Sequence, residues 1–508
     1  MTPSKPVLPT ALYRAEQVRE LDRHLITEQG GDSYAVMQAA AQAAFLRLVA
    51  LLGRENKLNK RILVVCGGGN NGGDGYVIAR FALTAGYRVH LLSLVGQQKL
   101  QGDAKLAAHD WRQCAGRNVT LEEVQAVGFD EYDLIVDALL GTGLQREVGG
   151  DFYQLIEKIN AAKGRVLAVD IPSGLSADTG QALGIAVQAD VTVTFVGLKQ
   201  GLFTAAAPNY CGEIYFDNLS ASDDVFRQVK PAARLIDEQV IEQALVQRPR
   251  DAHKGSFGHV LVIGGAAGMA GAAQMAATAA LRVGAGLVSI ATAPEHAALL
   301  TIERPELMAH GVKTAKDLAP LLERVTVIAI GPGLGQSGWA KSLLQQALAA
   351  KLPTVIDADA LNLLADSAAD PRRLGAGCII TPHPGEAARL LGKSTEAVQA
   401  DRFAALSELR KLYGAISILK GAGSLVATPD LPEIAVCNRG HPGMATGGMG
   451  DILSGIVAGL LAQQIDTFHA AQAGVYLHAT AAERWAMTAG ERGLCATDLL
   501  SELPELIA

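Results

Sequence analysis

The stretch GMATGGMGDILSGIVAGLLA, residues 443–462, gathers Thr446, Gly447, Gly448, Gly450, Ser454 and Gly455 around one carboxylate, Asp451, and then runs directly into an apolar segment. The pattern predicts a helix N-terminus able to hold an anion. With no Cβ at Gly447, Gly448 and Gly450, a phosphate can approach the unpaired N–H groups of the first turn and the positive end of the helix dipole. A carboxylate beside a phosphate is unfavourable unless it has a task, such as taking a proton from a hydroxyl that receives the phosphoryl group. The competing account is that Asp451 is an acidic first-turn residue favoured by the dipole and nothing more.

The text leading up to this stretch repeats one rhythm. KGSFGHVLVIGGAAGMAGAAQMAATAALRVGAGLVSIAT (254–292) reads as strand, Gly/Ala loop, helix of small residues, strand. TVIAIGPGLGQS (326–337), TVIDADALNLL (354–364) and IITPHPGEAARLL (379–391) follow as strands ending in loops, and ISILKGAGSLVA (416–427) reads as two strands joined by residues 420–424. Lys420 and the open amides of that turn could hold a nucleotide phosphate. His383, between two prolines, is either a satisfied polar group or a substrate contact. Asp357 and Asp359 read first as strand-end hydrogen-bonding residues. A helix over 469–487 closes the half, and no Walker A loop is present, since Gly392-Lys393-Ser394 has Ala387 where glycine is required.

The N-terminal half has the same character. After helical text over 14–54, broken at Gly30 and Gly31, RILVVC (61–66) reads as a buried strand, GGGNNGGDG (67–75) as a loop, YVIARFALTAG as a helix and YRVHLLSL (87–94) as a strand. Gly67, Gly69 and Gly72 have the spacing of a dinucleotide fingerprint, yet residues 87–97 hold no acid for the ribose hydroxyls, so an ordinary dehydrogenase site is disfavoured. Asn70, Asn71 and Asp74 instead supply polar groups at the carboxyl end of the first strand. Asp137, followed by Gly141-Thr142-Gly143, and Asp170, followed by Pro172-Ser173-Gly174, are further strand-end acids at that edge. Together they are better explained as a ligand or cation site than as turn residues. Lys199 at another strand end is either a surface charge or a catalytic or phosphate-binding group. GEIYFDNL (212–219) reads as the closing strand.

A chain of 508 residues exceeds one hydrophobic core, and the rhythm lapses over 220–247, which places a boundary there. Composition is 49% hydrophobic with 55 glycines and 5% aromatic residues, as expected of globular α/β proteins. Net charge is −7 and no block of Lys and Arg occurs, which argues against nucleic-acid and anionic-membrane partners. The six cysteines are scattered without a CxxC pair, so the expectation is a reducing cytoplasm with neither zinc site nor disulfide framework. No signal-peptide core and no apolar run of about 18 residues stands out.

With these loops laid out, nearly the whole chain resembles the bifunctional NAD(P)H-hydrate repair enzymes. GGGNNGGDG, VDALLGTG and VDIPSG resemble the NAD(P)H-hydrate epimerase domain. GPGLG, TPHPGE, KGAGS and GGMGD resemble the ADP- or ATP-dependent NAD(P)H-hydrate dehydratase, a relative of the ribokinase-like kinases. The resemblance implies an α/β fold of two three-layer domains, Rossmann-like over 1–225 and ribokinase-like over 226–508. It implies that Asn70, Asn71, Gly72, Gly73, Asp74, Gly141, Thr142, Gly143, Leu144, Gln145, Arg146, Glu147 and Asp170 hold the hydrated nucleotide, with K+ on Asn71, Asp137 and Ser173. In the second half it implies that Ala272, Gly333, His383 and Asp451 contact the hydrate, and that Lys420, Gly421, Ala422, Gly423, Ser424 and Gly450 contact the adenine nucleotide. Mg2+, ADP or ATP as co-substrate, and a homo-oligomer of four or more chains are implied as well.

The chemistry that this resemblance implies is repair: interconversion of the R and S hydrates of NADH and NADPH, and ADP-dependent dehydration of the S form to give NAD(P)H, AMP and phosphate. Hydroxide leaves the hydrated ring poorly. Phosphorylating that hydroxyl makes phosphate the leaving group, which the ring nitrogen lone pair expels. Asp451 is then the expected base, and Asp170, with Lys199, the expected proton-moving pair of the epimerase. The rivals are a ribokinase-class small-molecule kinase with a ligand-binding N-terminal domain, and a nucleotide sensor without turnover.

Overall fold

The protein is described by a computed structural model over residues 8–53, 57–366 and 374–507. It divides into two compact units, 1–233 and 234–508. Val225 and Val229 still pack into the core of the first unit, and the division falls at 233–234, within the 220–247 stretch where the rhythm lapses.

The first unit holds seven parallel strands in the spatial order Asn118–Val119, Arg88–Ser93, Arg61–Cys66, Leu134–Ala138, Arg165–Val169, Val191–Phe195 and Glu213–Asp217. Alternation along each strand feeds two cores. Ile62, Val64 and Cys66 join Met37, Tyr76 and Val77 on one face, while Leu63 and Val65 join Leu155, Ile156 and Ile159 on the other. Each such aliphatic side chain contributes about 1.5–3 kcal/mol on burial, so the doubly covered sheet dominates the stability of the unit. Strand order reverses between Arg61–Cys66 and Leu134–Ala138, and ligands of open α/β sheets bind at the carboxyl ends of the strands beside such a reversal.

The glycine run after Arg61–Cys66 is shorter as a loop than its sequence suggests, because helix Asn70–Thr84 begins within it, at N-cap Gly69. A Cβ on Gly67 would lie 1.9 Å from the Leu139 carbonyl oxygen, and one on Gly72 would lie 2.2 Å from that of Gly67. Close backbone approach, not looseness, is what these glycines supply.

A short parallel ribbon, Ala11–Tyr13 with Leu198–Lys199, sets Tyr13 opposite Lys199 and brings helix Ala15–Glu28 over Gly197. Helix Ser33–Leu52 is long and apolar enough to cross a membrane by length and composition, although the sequence reading expected no such run. In the fold its Val36, Met37, Ala40, Ala41, Ala44 and Leu48 pack into the core.

The second unit repeats the plan: beside the short strand Ala233–Leu235 at the seam, its described residues form nine strands in the order Met308–Gly311, Leu287–Thr292, His259–Ile263, Val327–Ile330, Thr354–Ile356, Cys378–Ile380, Ile416–Leu419, Ser424–Ala427 and Ile434–Cys437. The first seven are parallel and the last two add antiparallel. The reversal falls between His259–Ile263 and Val327–Ile330, whose following loops are bonded to each other: Gly265 N–H donates to Pro332 O at 3.0 Å and Ala266 N–H to Gly333 O at 2.7 Å. Helices Ala270–Arg282, Met449–Ala462 and Thr467–Ala489 cover one face. A Cβ on Gly455 would lie 2.0 Å from Ala276 O, so this glycine serves the close packing of helix Met449–Ala462 on helix Ala270–Arg282.

Candidate active sites

In the first unit Asp137 and Asp170 stand at the carboxyl ends of two neighbouring parallel strands. Asp137 is the penultimate residue of Leu134–Ala138 and is fully buried. It accepts from Ser173 Oγ at 2.6 Å, Ser173 N–H at 2.8 Å and Leu139 N–H at 3.3 Å. Burial outweighs these donors and pushes its carboxyl up to about 6. Asn71 stands beside Gly141, where an added Cβ would lie 3.2 Å from Asn71 Cβ. Both polar atoms of its amide are buried without a hydrogen-bond partner. Native structures rarely leave such groups orphaned, so this pair of atoms marks where a ligand or ion belongs.

Asp170 follows Arg165–Val169 with φ of +68°, a strained conformation that acids tolerate better than most residues. Its carboxylate pairs with Lys199 Nζ. Lys199, with no exposed surface, also donates to Thr194 Oγ1 at 2.9 Å and to Phe195 O at 3.2 Å. The surface-charge reading of Lys199 is therefore wrong. Asp22, on Ala15–Glu28, and Asp74, on Asn70–Thr84, share this electrostatic neighbourhood. Burial, opposed by Lys199 and assisted by Asp170, lifts Asp22 to about 6; burial, Asp170 and Asp22 lift Asp74 well above its ordinary value. Burial thus favours the protonated forms of Asp22 and Asp74 beside the Asp170–Lys199 pair, an arrangement that suits proton transfer. Of the 141–147 loop, Leu144 packs against the second core, and Gly143, Gln145, Arg146 and Glu147 are exposed.

In the second unit helix Met449–Ala462 begins after Gly448, whose φ is +89°, and Asp451 lies in its first turn. Burial and the nearby Asp357, opposed by Lys420, push the Asp451 carboxyl up to about 7. Asp357 is 1% exposed; its Oδ1 is 2.7 Å from Lys420 Nζ and its Oδ2 accepts from Ser454 Oγ at 2.6 Å. Burial opposes ionisation of Asp357, but the ion pair prevails and holds it below the usual carboxylate range. Glu386 stands 3.8 Å from the same ammonium, and burial raises its carboxyl. Gly450 is the residue that lets the helix meet this pair, since a Cβ there would lie 3.1 Å from Lys420 Nζ.

The hydrate-contact candidates converge on the same edge. A Cβ on Gly333 would lie 3.1 Å from Ala272 Cβ, and one on Gly448 would lie 2.7 Å from Met275 Cε on the same helix as Ala272. His383 caps helix Pro384–Leu391, its Nδ1 accepting from Gly385 N–H at 3.0 Å and Glu386 N–H at 3.4 Å. Burial, Lys420 and Arg389 lower its pKa, so it is neutral at pH 7. A cleft of about 360 Å3, lined by Pro442, Thr446, Arg492 and Leu494 among others, opens beside the glycine turn. Among the described residues no three His, Cys, Asp or Glu side chains form a metal cage.

Sequence reasoning missed Asp22 and undervalued Asp357. Asp22 sits between Leu21 and Leu25 of an amphipathic helix and looks like a surface residue. Asp357 ends a strand as Asp137 and Asp170 do, and that shared position was the available signal.

Comparison with known proteins agrees with this geometry. Residues 260–505 match the family model described as NAD(P)H-hydrate dehydratase, and residues 33–201 match that described as YjeF-related protein N-terminus. The bifunctional NAD(P)H-hydrate repair enzyme Nnr of Coxiella burnetii is 49% identical over 98% of this chain and 99% of its own length. That of Escherichia coli is 41% identical over 98% and 94%. Among solved structures, a ribokinase-like superfamily protein from Enterococcus faecalis has a TM-score of 0.50 at 30% identity and covers 54% of this chain and 95% of its own. The chain thus belongs to the family of bifunctional NAD(P)H-hydrate repair enzymes, with a ribokinase-like second unit.

Proposed function

We propose that the protein repairs hydrated NADH and NADPH, the first unit epimerising the hydrate and the second dehydrating its S form at the expense of ADP. The observation that carries the second half is Asp451: a carboxylate with its pKa near 7, in the first turn of a helix whose N-cap is a left-handed glycine. A base with that affinity for protons accepts the hydroxyl proton efficiently at neutral pH. The first-turn amides over 447–450 would stabilise the transferring phosphoryl group. Electron density from the ring nitrogen then expels phosphate and restores the dihydropyridine.

Lys420, Gly421, Ala422, Gly423, Ser424 and Gly450 would receive the adenine nucleotide, and Ala272, Gly333 and His383 the hydrate. Lys420 is engaged by Asp357 and Glu386, so a phosphate would share that ammonium rather than find it unclaimed. Mg2+ binds through one or two carboxylates plus substrate phosphates, and would here be held chiefly by the nucleotide, whose phosphate charge it would neutralise.

In the first unit Asp170 and Lys199 would move protons while the ring opens and closes at the hydrated carbon. Asn70, Asn71, Gly72, Gly73, Asp74 and the 141–147 loop would hold the nucleotide. K+ fits Asn71, Asp137 and Ser173, since the Asn71 amide oxygen is buried without a partner and Asp137 carries the compensating charge. It would supply fixed positive charge beside the bound phosphates.

The test is to incubate the purified protein with mixed epimers of hydrated NADH plus ADP, and to follow NADH absorbance and phosphate. Repair predicts equal rises in both, exhausting both epimers. A stable phosphorylated product would indicate a kinase, and binding without turnover a sensor.

A further inference from the structure

Helix Arg402–Tyr413 starts with a cation, which opposes the helix dipole, and that cation is 1% exposed. Two unfavourable choices at one position call for a compensating role. The guanidinium lies behind the turn 420–424. Its Nη1 donates to Gln399 Oε1 at 2.9 Å and to Lys420 O at 3.3 Å. Its Nη2 donates to Leu419 O at 3.2 Å, Lys420 O at 3.3 Å and Gly423 O at 3.4 Å. Gly421, with φ of +136°, rests on it so closely that a Cβ would lie 2.9 Å from Nη1. Ser424 Oγ donates to Gly421 O at 3.0 Å, fixing one more carbonyl of the turn.

In a trans peptide the C=O and the following N–H point in opposite directions. Drawing the carbonyls of Lys420 and Gly423 onto the guanidinium therefore turns the N–H groups of Gly421 and Ser424 to the far side. A planar fork can serve several carbonyls at once, which an ammonium cannot. Burial lowers the guanidinium to about 10, so it is charged at neutral pH and places a full positive charge behind those outward amides.

We infer that Arg402 is the positioning residue of the nucleotide turn, setting its peptide planes and its charge for the phosphates of the adenine nucleotide without touching them. This rests on the reading of 420–424 as the nucleotide-binding turn.

The experiment is steady-state dehydration by the full-length protein carrying Arg402→Met or Arg402→Lys, with KM for the hydrate, which the same unit binds, as the folding control. Arg402→Met is expected to raise KM for ADP at least tenfold while KM for the hydrate stays within twofold. Arg402→Lys, which restores charge but not the fork, is expected to raise KM for ADP about three- to tenfold. An unchanged KM for ADP in either variant, or an equal rise in both KM values, overturns the inference. Lys420→Met separates the two layers of the argument. If it leaves ADP affinity intact, the nucleotide assignment of the turn fails and the role of Arg402 with it. If it weakens ADP while Arg402→Met does not, only the role of Arg402 fails.

Discussion

Asp357→Asn keeps the shape of a buried side chain and removes one charge. Asp357 raises the pKa of Asp451, whereas Lys420, held 2.7 Å from Asp357, lowers it. Neutralising Asp357 removes the repulsion and leaves the attraction of Lys420 less compensated, so both changes drive Asp451 downward. At an effective dielectric of about 20, unit charges roughly 5–10 Å apart interact by about 1.5–3 kcal/mol, or about 1–2 pH units. Burial still holds Asp451 above its ordinary 3.8, so its pKa should fall from about 7 to between about 5 and 6. Breaking a buried pair costs about 3–5 kcal/mol when nothing replaces it. The cost should be smaller here because Glu386 remains 3.8 Å from Lys420. The assay is the pH dependence of kcat for dehydration at saturating ADP and hydrate. An acid limb that stays near pH 7, or moves upward, refutes the electrostatic argument.

Asp451→Asn should abolish dehydration yet stabilise the fold at alkaline pH. An acid held at about 7 keeps its proton while the unfolded chain loses it near 3.8, so stability falls as pH rises from about 4 to about 7. Urea unfolding should show the variant gaining about 2 kcal/mol at pH 8, discounted for partial exposure, and little at pH 4; an equal difference at both pH values refutes the linkage. Asp170→Asn tolerates the positive φ but removes the partner of Lys199, so epimer exchange should drop at least about 100-fold while dehydration of pure S hydrate is retained, as chromatographic separation of the epimers would report. Gly72→Ala forces a Cβ to 2.2 Å from Gly67 O and should destabilise the first unit by about 2–4 kcal/mol, read by calorimetry; an unchanged melting profile refutes the close-approach argument.

Much of this architecture is legible in the sequence because strand, glycine loop and helix leave distinct local patterns. RILVVC, VLVIGG and VIAIGPGLG each announce a strand ending at the ligand edge, and the strands at 61–66, 259–263 and 327–330 lie at the two reversals of strand order. Less legible are the residues whose meaning depends on distant partners. Asp357 gains its role from Lys420, 63 positions later, and Ser454, 97 positions later. Asp22 depends on Lys199, 177 positions later, which the tertiary pairing of Ala11–Tyr13 with Leu198–Lys199 helps to bring near. Glycine is ambiguous for a related reason: Gly448 supplies a left-handed cap, whereas Gly455 supplies helix contact, and local text does not separate them.

The central claim is that the hydroxyl of the hydrate departs as part of phosphate. Hydrate carrying 18O at that hydroxyl, turned over with unlabelled ADP in unlabelled water, tests this directly. Mass spectrometry of the phosphate should find one 18O per molecule formed. Unlabelled phosphate, with the 18O released to water, would contradict it.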